Sequence, residues 1–184
     1  MPRVKLFDQE KALQQAMELF WEKGYNATSL TDLTEKLKIG KGSFYDTFEG
    51  KRQLFDKAVE RYRVANLQML KQKISSEQDV PAGIKNLLES AMNEAFNDVD
   101  RKGCFMANTC SEMGNHDMEI RELLIKHQKE MYDILYTYLK PHNFKSGIST
   151  EQATNLLITF MTGMNQEVKI KKDKSQLQQS VNAL

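Results

Sequence analysis

Residues 28–48 read TSLTDLTEKLKIGKGSFYDTF and contain the pattern that decides the fold. Either of the first two residues can cap a helix, and Asp32 stands three residues after Ser29 as in a capping box. Leucines then recur on one helical face until residues 38–40 interrupt the pattern, and a second short run begins at Lys41. The stretch therefore predicts two short helices joined by a tight turn.

The sequence on both sides of this stretch is also helical in character. Glycine and proline are scarce, 9 and 3 of 184 residues, which favours helices over a sandwich or barrel. One amphipathic run precedes the pair, with Asp8 as a candidate N-cap and Gly24 as a candidate C-terminal residue. Further amphipathic runs follow over residues 51–74, 81–97, 104–113, 120–139, 149–164 and 177–184. We expect an all-α protein of about nine helices, with no strand and no internal repeat.

Amino-acid composition and net charge exclude several classes of protein. Hydrophobic residues at 40% and charged residues at 28% are ordinary for a folded soluble protein. The net charge of +1 gives no global basic excess, so contact with a nucleic acid must come from a few well-placed cations. No apolar signal core and no membrane-length apolar run occurs, and two cysteines are too few for a disulfide framework. We expect a cytoplasmic protein with no membrane partner and two reduced, buried thiols.

The helix pair suits a helix-turn-helix, because its second helix is polar on the outer face that would enter a major groove. The alternative is a plain helical hairpin with a capped second helix. A phosphate loop is excluded for the segment GKGS at residues 40–43, since Glu35 stands where that motif requires its first glycine and no strand precedes it.

A set of residues spread over the first quarter of the chain carries a family likeness. They are Ala16, Leu19, Phe20, Gly24, Tyr25, Thr28, Ser29, Leu33, Gly42, Ser43, Phe44, Tyr45, Phe48, Lys51 and Arg52. In one register without gaps, they resemble the signature of the TetR family of transcriptional regulators. The resemblance implies a three-helix DNA-binding domain over residues 1–52 and a regulatory and dimerisation domain over residues 53–184. It also implies a repressor that binds a palindromic operator as a homodimer.

The likeness and the helix geometry together give candidate contacts to double-stranded operator DNA. Thr28 and Lys51, at the starts of two helices, can hold phosphates, and Gly42 leaves room where the recognition helix comes closest to DNA. Phe44 and Phe48 are interpreted as the packing side of that helix. The candidate DNA-binding residues are Thr28, Ser29, Lys41, Gly42, Ser43, Tyr45, Asp46, Thr47 and Lys51.

The turn and the outer face depart from the family pattern. Family members usually have Gly in the turn and Ser before the recognition lysine, where this chain has Lys38 and Gly40. The family also often has His or Asn at the positions of Asp46 and Thr47. The operator sequence therefore cannot be copied from relatives.

The C-terminal part contains apolar residues that could line a cavity for a small, largely apolar effector. Met suits a site that adapts to several ligands, although such residues are also common in a plain core. The candidates are Met92, Phe96, Phe105, Met113, His127, Met131 and Tyr132. His127 could bond a ligand or be a satisfied core histidine. Metal-ligand spacing is missing for the histidines, and we expect no metal and no cofactor.

The last two helical runs have more apolar surface than one small body can cover. The resemblance implies that they pair with their twins in a four-helix dimer interface, and the candidate interface residues are Leu156, Phe160, Met164, Leu177 and Val181. Dimerisation would place two recognition helices about one turn of DNA apart.

Three alternatives remain open at this point. One is a helical enzyme, although no recognisable spacing of nucleophile, base and orienting acid occurs. Another is a helical adaptor that binds only protein. The third concerns the trigger, which could be oxidation of Cys104 or Cys110 in place of a small molecule if a helix N-terminus stabilised a thiolate.

Overall fold

The computed structural model describes residues 8–144, 147–170 and 173–183. Within these ranges all regular structure is helical, which confirms the predicted all-α class. The nine helices found there are α1 (Gln9–Lys23), α2 (Leu30–Leu37), α3 (Lys41–Phe48), α4 (Lys51–Ser75), α5 (Val80–Asn97), α6 (Phe105–Met113), α7 (Met118–Leu139), α8 (Thr150–Ile170) and α9 (Ser175–Asn182). In this described part of the chain, no helix combines the length and apolar character that a membrane span requires.

Local capping explains where the first two helices begin and end. The Asp8 carboxylate accepts a hydrogen bond from the Lys11 amide at 3.0 Å, and Gly24, with φ 84°, ends α1. The Ser29 hydroxyl accepts from the Asp32 amide at 3.0 Å, and the Asp32 carboxylate accepts from the Ser29 amide at 2.8 Å. This reciprocal pair confirms the predicted capping box.

The connection between α2 and α3 is short because Lys38 takes a left-handed conformation, with φ 55° and ψ 43°. Its amide donates to the Glu35 carbonyl at 3.2 Å, and the Ile39 amide donates to the Thr34 carbonyl at 3.1 Å. These bonds satisfy carbonyls that the last turn of α2 leaves without helical partners. The chain can therefore turn and begin α3 at Lys41 within three residues.

The described chain divides into two compact units, one as far as Tyr62 and the other from Arg63, so the division falls inside α4. In the N-terminal unit, the fully buried side chains of Phe20, Leu33 and Phe44 contribute to the core. The rings of Phe20 and Phe55 meet edge to face at 5.1 Å between centroids. This apolar centre holds α1 and the start of α4 together.

The C-terminal unit is a bundle in which α8 packs against α5 and α7, α9 packs against α5, and α6 packs against α7. Its main core cluster includes the fully buried side chains of Leu88, Met92, Leu135, Leu139 and Val168. Leu70 and Ile74, from the end of α4, belong to the same cluster. The last turns of α4 are thus part of the C-terminal core.

Polar side chains directly before three helices of the bundle cap their N-termini. The carboxylates of Asp79 and Asp117 accept from the amides of Ala82 and Ile120, at the starts of α5 and α7. Ahead of α8, the Gln152 amide donates to the Ser149 hydroxyl at 3.2 Å, and the Gln152 side chain accepts from the Ser149 amide at 2.8 Å. The predicted capping box of α8 is therefore confirmed.

Candidate nucleic-acid interface

The residues that α3 exposes are small or polar, apart from the aromatic ring of Tyr45. Lys41, Gly42, Ser43, Tyr45 and Asp46 are exposed, and Thr47 is partly buried. The Tyr45 side chain is 52% exposed, although it is one of the larger apolar groups of the unit. Five of the six predicted contacts of this helix are therefore accessible, and the sixth is partly accessible.

The opposite face of α3 holds the helix in place. Phe44 and Phe48 are buried, and their rings lie 5.6 Å apart between centroids. The prediction that these two residues form the packing side is confirmed. Two buried aromatic anchors one turn apart fix the rotation of the helix, and so decide which side chains face outwards.

A second edge of the candidate surface is formed by Lys51, the first residue of α4. Its ammonium lies 4.3 Å from the centroid of the Tyr25 ring, and Tyr25 itself packs at 4.7 Å from Phe55. The cation–π contact holds the ammonium beside an amide-rich helix N-terminus, where both can meet a phosphate. Sequence reasoning gave Tyr25 no role of its own. The sequence signal that could have identified it is an aromatic residue directly after Gly24, the glycine that ends α1.

Thr28 and Ser29 differ in what they present to the surface. Thr28 is fully buried, and its hydroxyl donates to the Gly24 carbonyl at 2.6 Å. It therefore holds the turn before α2. Ser29 is exposed, and the Lys23 ammonium bonds the Asp32 carboxylate of the same capping box at 2.7 Å. The Lys23 ammonium, followed by the Ser29 hydroxyl, holds the pKa of Asp32 well below its ordinary value.

The predicted effector-pocket residues all lie in the C-terminal unit. Met92 is fully buried in the main core cluster, and Phe96, Met131 and Tyr132 pack against it as partly buried side chains. Phe105 and Met113 lie on the buried face of α6. These six side chains are therefore distributed over three helices of one bundle.

His127 is buried on α7, beside an ion pair between the guanidinium of Arg63 and the carboxylate of Glu130. Burial, and next the positive charge of Arg63, lower the pKa of His127 below its ordinary value, while Glu130 acts in the opposite direction. The imidazole is therefore neutral at pH 7. Within the described residues, its Nδ1 atom has no hydrogen-bond partner.

An open groove of about 430 Å³ lies between the end of α4 and α7. Its lining residues are Lys71, Ile74, Ser75, Asp133, Ile134, Thr137 and Tyr138, none of which belongs to the predicted pocket. The groove is a surface feature of the C-terminal unit and does not enclose a ligand.

The predicted interface residues fall into two groups. Met164, Leu177 and Val181 are buried in the core cluster of the same chain, and Phe160 packs against that cluster. Leu156 is 53% exposed. Of these five residues, Leu156 and part of Phe160 therefore offer apolar surface to another molecule.

The exposed face of α8 carries further residues that the sequence reasoning did not select. Ile170 is 77% exposed, and a Cβ added at Gly163 would meet no atom within 4 Å. Thr159, between Leu156 and Gly163 on this face, is also exposed. The exposed strip of α8 thus has an apolar residue near each end, with the small residues Thr159 and Gly163 and the polar residue Gln166 between them.

The expectation that both thiols are buried is wrong. Cys110 is exposed and Cys104 is partly buried at the N-cap of α6. Burial lowers the pKa of Lys169 below its ordinary value, and the nearby Cys104 acts more weakly in the opposite direction. The Lys169 ammonium also donates to the Asn108 side chain. Among the described residues, no group of three or more side chains could hold a metal ion.

Two family models match the chain. One describes bacterial regulatory proteins of the tetR family and matches residues 12–58, which include α2 and α3. The other describes a tetracyclin repressor-like C-terminal domain and matches residues 81–184.

Two curated relatives show how far the likeness extends along the chain. An uncharacterized HTH-type transcriptional regulator of Bacillus subtilis (strain 168), YezE, is 34% identical over 137 residues, 74% of this chain and 70% of that protein. The HTH-type transcriptional repressor ComR of Escherichia coli (strain K12) is 33% identical over 126 residues, 66% of this chain and 59% of that protein.

Solved structures show the same fold at low sequence identity. A cysteine-substituted form of the TetR family transcriptional regulator CifR, complexed with 26-base-pair operator DNA, matches with a TM-score of 0.85 and 22% identity. The match covers 98% of this chain and 97% of that one. The reduced form of E. coli NemR matches with a TM-score of 0.83 and 20% identity, over 95% of this chain and 93% of that one.

Proposed function

The chain belongs to the TetR family of bacterial regulatory proteins and is a DNA-binding transcriptional regulator, and from this premise we propose a specific mode of action. It represses transcription as a homodimer on a palindromic operator, and a small, largely apolar effector releases it. In this proposal residues 1–52 bind DNA and residues 53–184 dimerise and regulate. We expect it to act in the cytoplasm, where operator DNA is found. The name of the relative ComR as a repressor supports the direction of control.

The polar, exposed face of α3 is the observation that carries the proposal. Gly42 has no side chain and Ser43 a short one, so that the helix backbone can enter a major groove. Lys41 and Tyr45 flank them with one cation and one hydroxyl. The buried pair Phe44 and Phe48 holds this face outwards, which a plain helical hairpin would not require.

Phosphate contacts would come from the edges of the same surface. Lys51 is positioned by Tyr25, and its amide lies at the N-terminus of α4. A phosphate at this place gains both the ammonium charge and the helix dipole. Ser29 and the amides at the start of α2 can act in the same way on the other side. Thr28 then acts through the turn that it holds, because its hydroxyl is occupied.

The exposed strip on α8 supports homodimerisation. Leu156 and Ile170 leave large apolar groups in solvent, and the small residues Thr159 and Gly163 between them allow a second helix to come close. A two-fold pairing of α8 with its twin would cover this strip and give the dimer two copies of α3. Each half of a palindromic site would then meet one recognition helix.

The long helix α4 offers a route from the effector to DNA. Its first residue carries the proposed phosphate contact, and its last turns belong to the core that contains Met92. A ligand that moves these last turns changes the spacing between the two DNA-binding units, and contacts in one half-site are lost. A coupling free energy of about 1–3 kcal/mol is enough to alter occupancy of the operator substantially.

A second trigger is favoured by the placement of Cys104. The thiol lies at the N-cap of α6 and near the Lys169 side chain, and it is only partly buried, so that an oxidant can reach it. A double Cys104→Ser, Cys110→Ser variant separates the two triggers in a reporter strain. If this variant still binds DNA but loses all regulation, the thiols are the sensor and the small-molecule proposal fails.

The salt dependence of DNA binding tests the proposed interface directly. We expect the logarithm of the affinity for double-stranded DNA to fall linearly with the logarithm of KCl concentration, by about 0.9 per phosphate contact. Lys41→Ala should reduce this slope, and Lys126→Ala, which removes an exposed cation from α7, should leave it unchanged. Equal slopes for both variants would show that α3 does not face DNA.

A further inference from the structure

Thr109 is a buried hydroxyl without a partner. The residue is 2% exposed on α6, and within the described part of the chain its Oγ1 atom has no hydrogen-bond partner. Buried polar groups in native proteins are nearly always paired, because an unpaired one loses its hydration without compensation. The Thr109 hydroxyl therefore requires an explanation.

The helix itself offers this hydroxyl an acceptor that it does not use. Many Ser and Thr hydroxyls in the described helices donate to the carbonyl four residues earlier, as do Ser111, Thr137, Thr154, Thr159, Thr162 and Ser180. Thr154 is the closest match, since it is fully buried and donates to the Thr150 carbonyl at 2.7 Å. The unpaired state of Thr109 is thus not a general property of threonines in this protein.

His127 provides the second unpaired atom, on the neighbouring helix. It is 6% exposed, and its Nδ1 atom is the other buried side-chain atom without a partner among the described residues. The two charged groups nearby do not bond this Nδ1 atom, and the Arg63 guanidinium instead bonds the Glu130 carboxylate. The neutral imidazole therefore keeps one unused hydrogen-bonding nitrogen in the interior.

Both atoms belong to the buried faces of helices that pack against each other, α6 and α7. Thr109 lies one turn after Phe105 and one turn before Met113 on an apolar face. A group that satisfies these atoms must therefore be mostly apolar and uncharged, with a single polar function.

We propose that Thr109 and His127 are the polar anchors of the effector site, and that the effector is an uncharged, apolar molecule with a hydroxyl group, such as a phenol. A hydroxyl can donate one hydrogen bond and accept others, so it can serve the threonine and the imidazole in either tautomer. This inference rests on the proposed function, since it names the chemistry of the molecule that releases the operator.

Two matched probes test the chemistry on the full-length protein. Isothermal titration calorimetry compares 4-ethylphenol with its methyl ether, 4-ethylanisole, which has a similar apolar body and no hydroxyl proton. We expect the phenol to bind about tenfold or more tightly, because only the phenol can both donate and accept in the site. The ¹⁵N resonance of the His127 Nδ1 atom should shift with the phenol, and the chain has only three histidines to assign.

A pair of variants links the preference to the site. Thr109→Val keeps the shape and removes the unpaired hydroxyl, so it should raise the midpoint of thermal unfolding by about 2 °C or more and reduce the preference for the phenol. Thr154→Val removes a satisfied hydroxyl instead. It should not raise the midpoint, and it should leave the preference unchanged.

The outcomes separate this inference from the proposed function. If the protein shows no preference for the phenol, whether both probes bind equally or neither binds, the hydroxyl chemistry is wrong, and a trapped water is then the better partner for these atoms. The same conclusion follows if Thr109→Val lowers the midpoint. If the phenol binds in a Thr109-dependent manner but does not release operator DNA in an anisotropy assay, the site stands and the proposed mode of induction fails. If both probes release DNA equally, the mode of induction stands and the inference fails.

Discussion

Gly42 is exposed in the first turn of α3, where an added Cβ would meet no atom within 4 Å. Alanine is a better helix former than glycine, so Gly42→Ala in the first turn of α3 should raise the free energy of unfolding by up to about 0.5–1 kcal/mol. On DNA, the same methyl group would stand between the helix backbone and the bases. The affinity for the operator should therefore fall roughly tenfold or more, since a misplaced methyl group costs about 1–3 kcal/mol.

Chemical denaturation and fluorescence anisotropy measure the two effects of Gly42→Ala separately. Thr137→Ala serves as the control, because it improves helix propensity at an exposed position of α7 away from the recognition surface. A Gly42→Ala protein that binds the operator as tightly as the wild type would show that the backbone of α3 does not approach DNA closely.

Lys38 has a backbone conformation that a side chain disfavours. Its φ of 55° places it in the left-handed region, which costs a residue other than glycine about 1 kcal/mol. Lys38→Gly should therefore increase the free energy of unfolding by about 0.5–1 kcal/mol in urea denaturation. Lys36→Gly, two residues earlier inside α2, should decrease it by about 1 kcal/mol. Destabilisation by both substitutions would show that the turn is not strained.

At the scale of elements, α3 and the start of α4 should differ in what they recognise. Lys51→Ala should weaken binding to all DNA sequences about equally and reduce the salt slope by about 1, because this side chain is assigned to a phosphate. Thr47→Ala should instead change which bases are preferred. Binding to operator and random DNA under several salt concentrations measures both effects. Equal losses on the two DNAs for both variants would contradict this division.

The buried histidine of α7 should make the fold sensitive to acid. Because the pKa of His127 in the folded chain is lowered from 6.5 by burial and by Arg63, the unfolded chain binds the proton more readily. No stability is lost above the unfolded pKa. As pH falls below it, the free energy of unfolding should decrease until the folded pKa is reached.

Urea denaturation between about pH 7 and about pH 5 measures this linkage. The decrease should be smaller in His127→Gln, which does not titrate in this range. Glu130 opposes the effect of Arg63, so Arg63→Met should raise the pKa of His127 in an NMR titration. An identical pH profile for wild type and His127→Gln would contradict the neutral, buried state of the imidazole.

The elements that sequence reasoning placed well are those with strictly local signals. Asp8, the Ser29 and Asp32 pair, and the Ser149 and Gln152 pair act through bonds within three residues, so spacing alone identifies them. The same is true of Phe44 and Phe48, whose one-turn spacing indicates a shared face.

The spacing of apolar residues could not determine whether an apolar helix face packs inside its own chain or against another chain. Met164 and Val181 belong to apolar helical stripes, but in the structure both side chains are buried in the core of their own chain. The exposed strip of α8 contains Gly163 and Thr159, which no hydrophobic pattern selects. Likewise, the burial of Thr28 depends on the turn that follows α1, so its position before a helix did not reveal it.

For the whole molecule, the exposed strip of α8 leads to a test of dimerisation. Leu156→Glu places a charge within the proposed interface, and because Leu156 is 53% exposed the chain should still fold. Light scattering should report monomers, with an unchanged circular dichroism spectrum and at least about tenfold weaker operator binding. Phe160→Glu is less informative, since this ring packs against the core of its own chain.

Met118→Glu is the matched control for the dimer test. Met118 is 69% exposed at the start of α7, outside the proposed interface, so its substitution should leave the dimer intact. If Leu156→Glu remains a dimer with full DNA binding, the two chains meet elsewhere.

The central claim is that two copies of one chain present two copies of α3 to one site. Selection of binding sequences from a random double-stranded DNA library by the full-length protein tests it most directly, with the mass of the final complex measured by light scattering. The dimer should select a near-palindromic sequence, with half-sites about one helical turn apart and two chains bound symmetrically. Selection of no sequence, or of a single half-site bound by one chain, would contradict it.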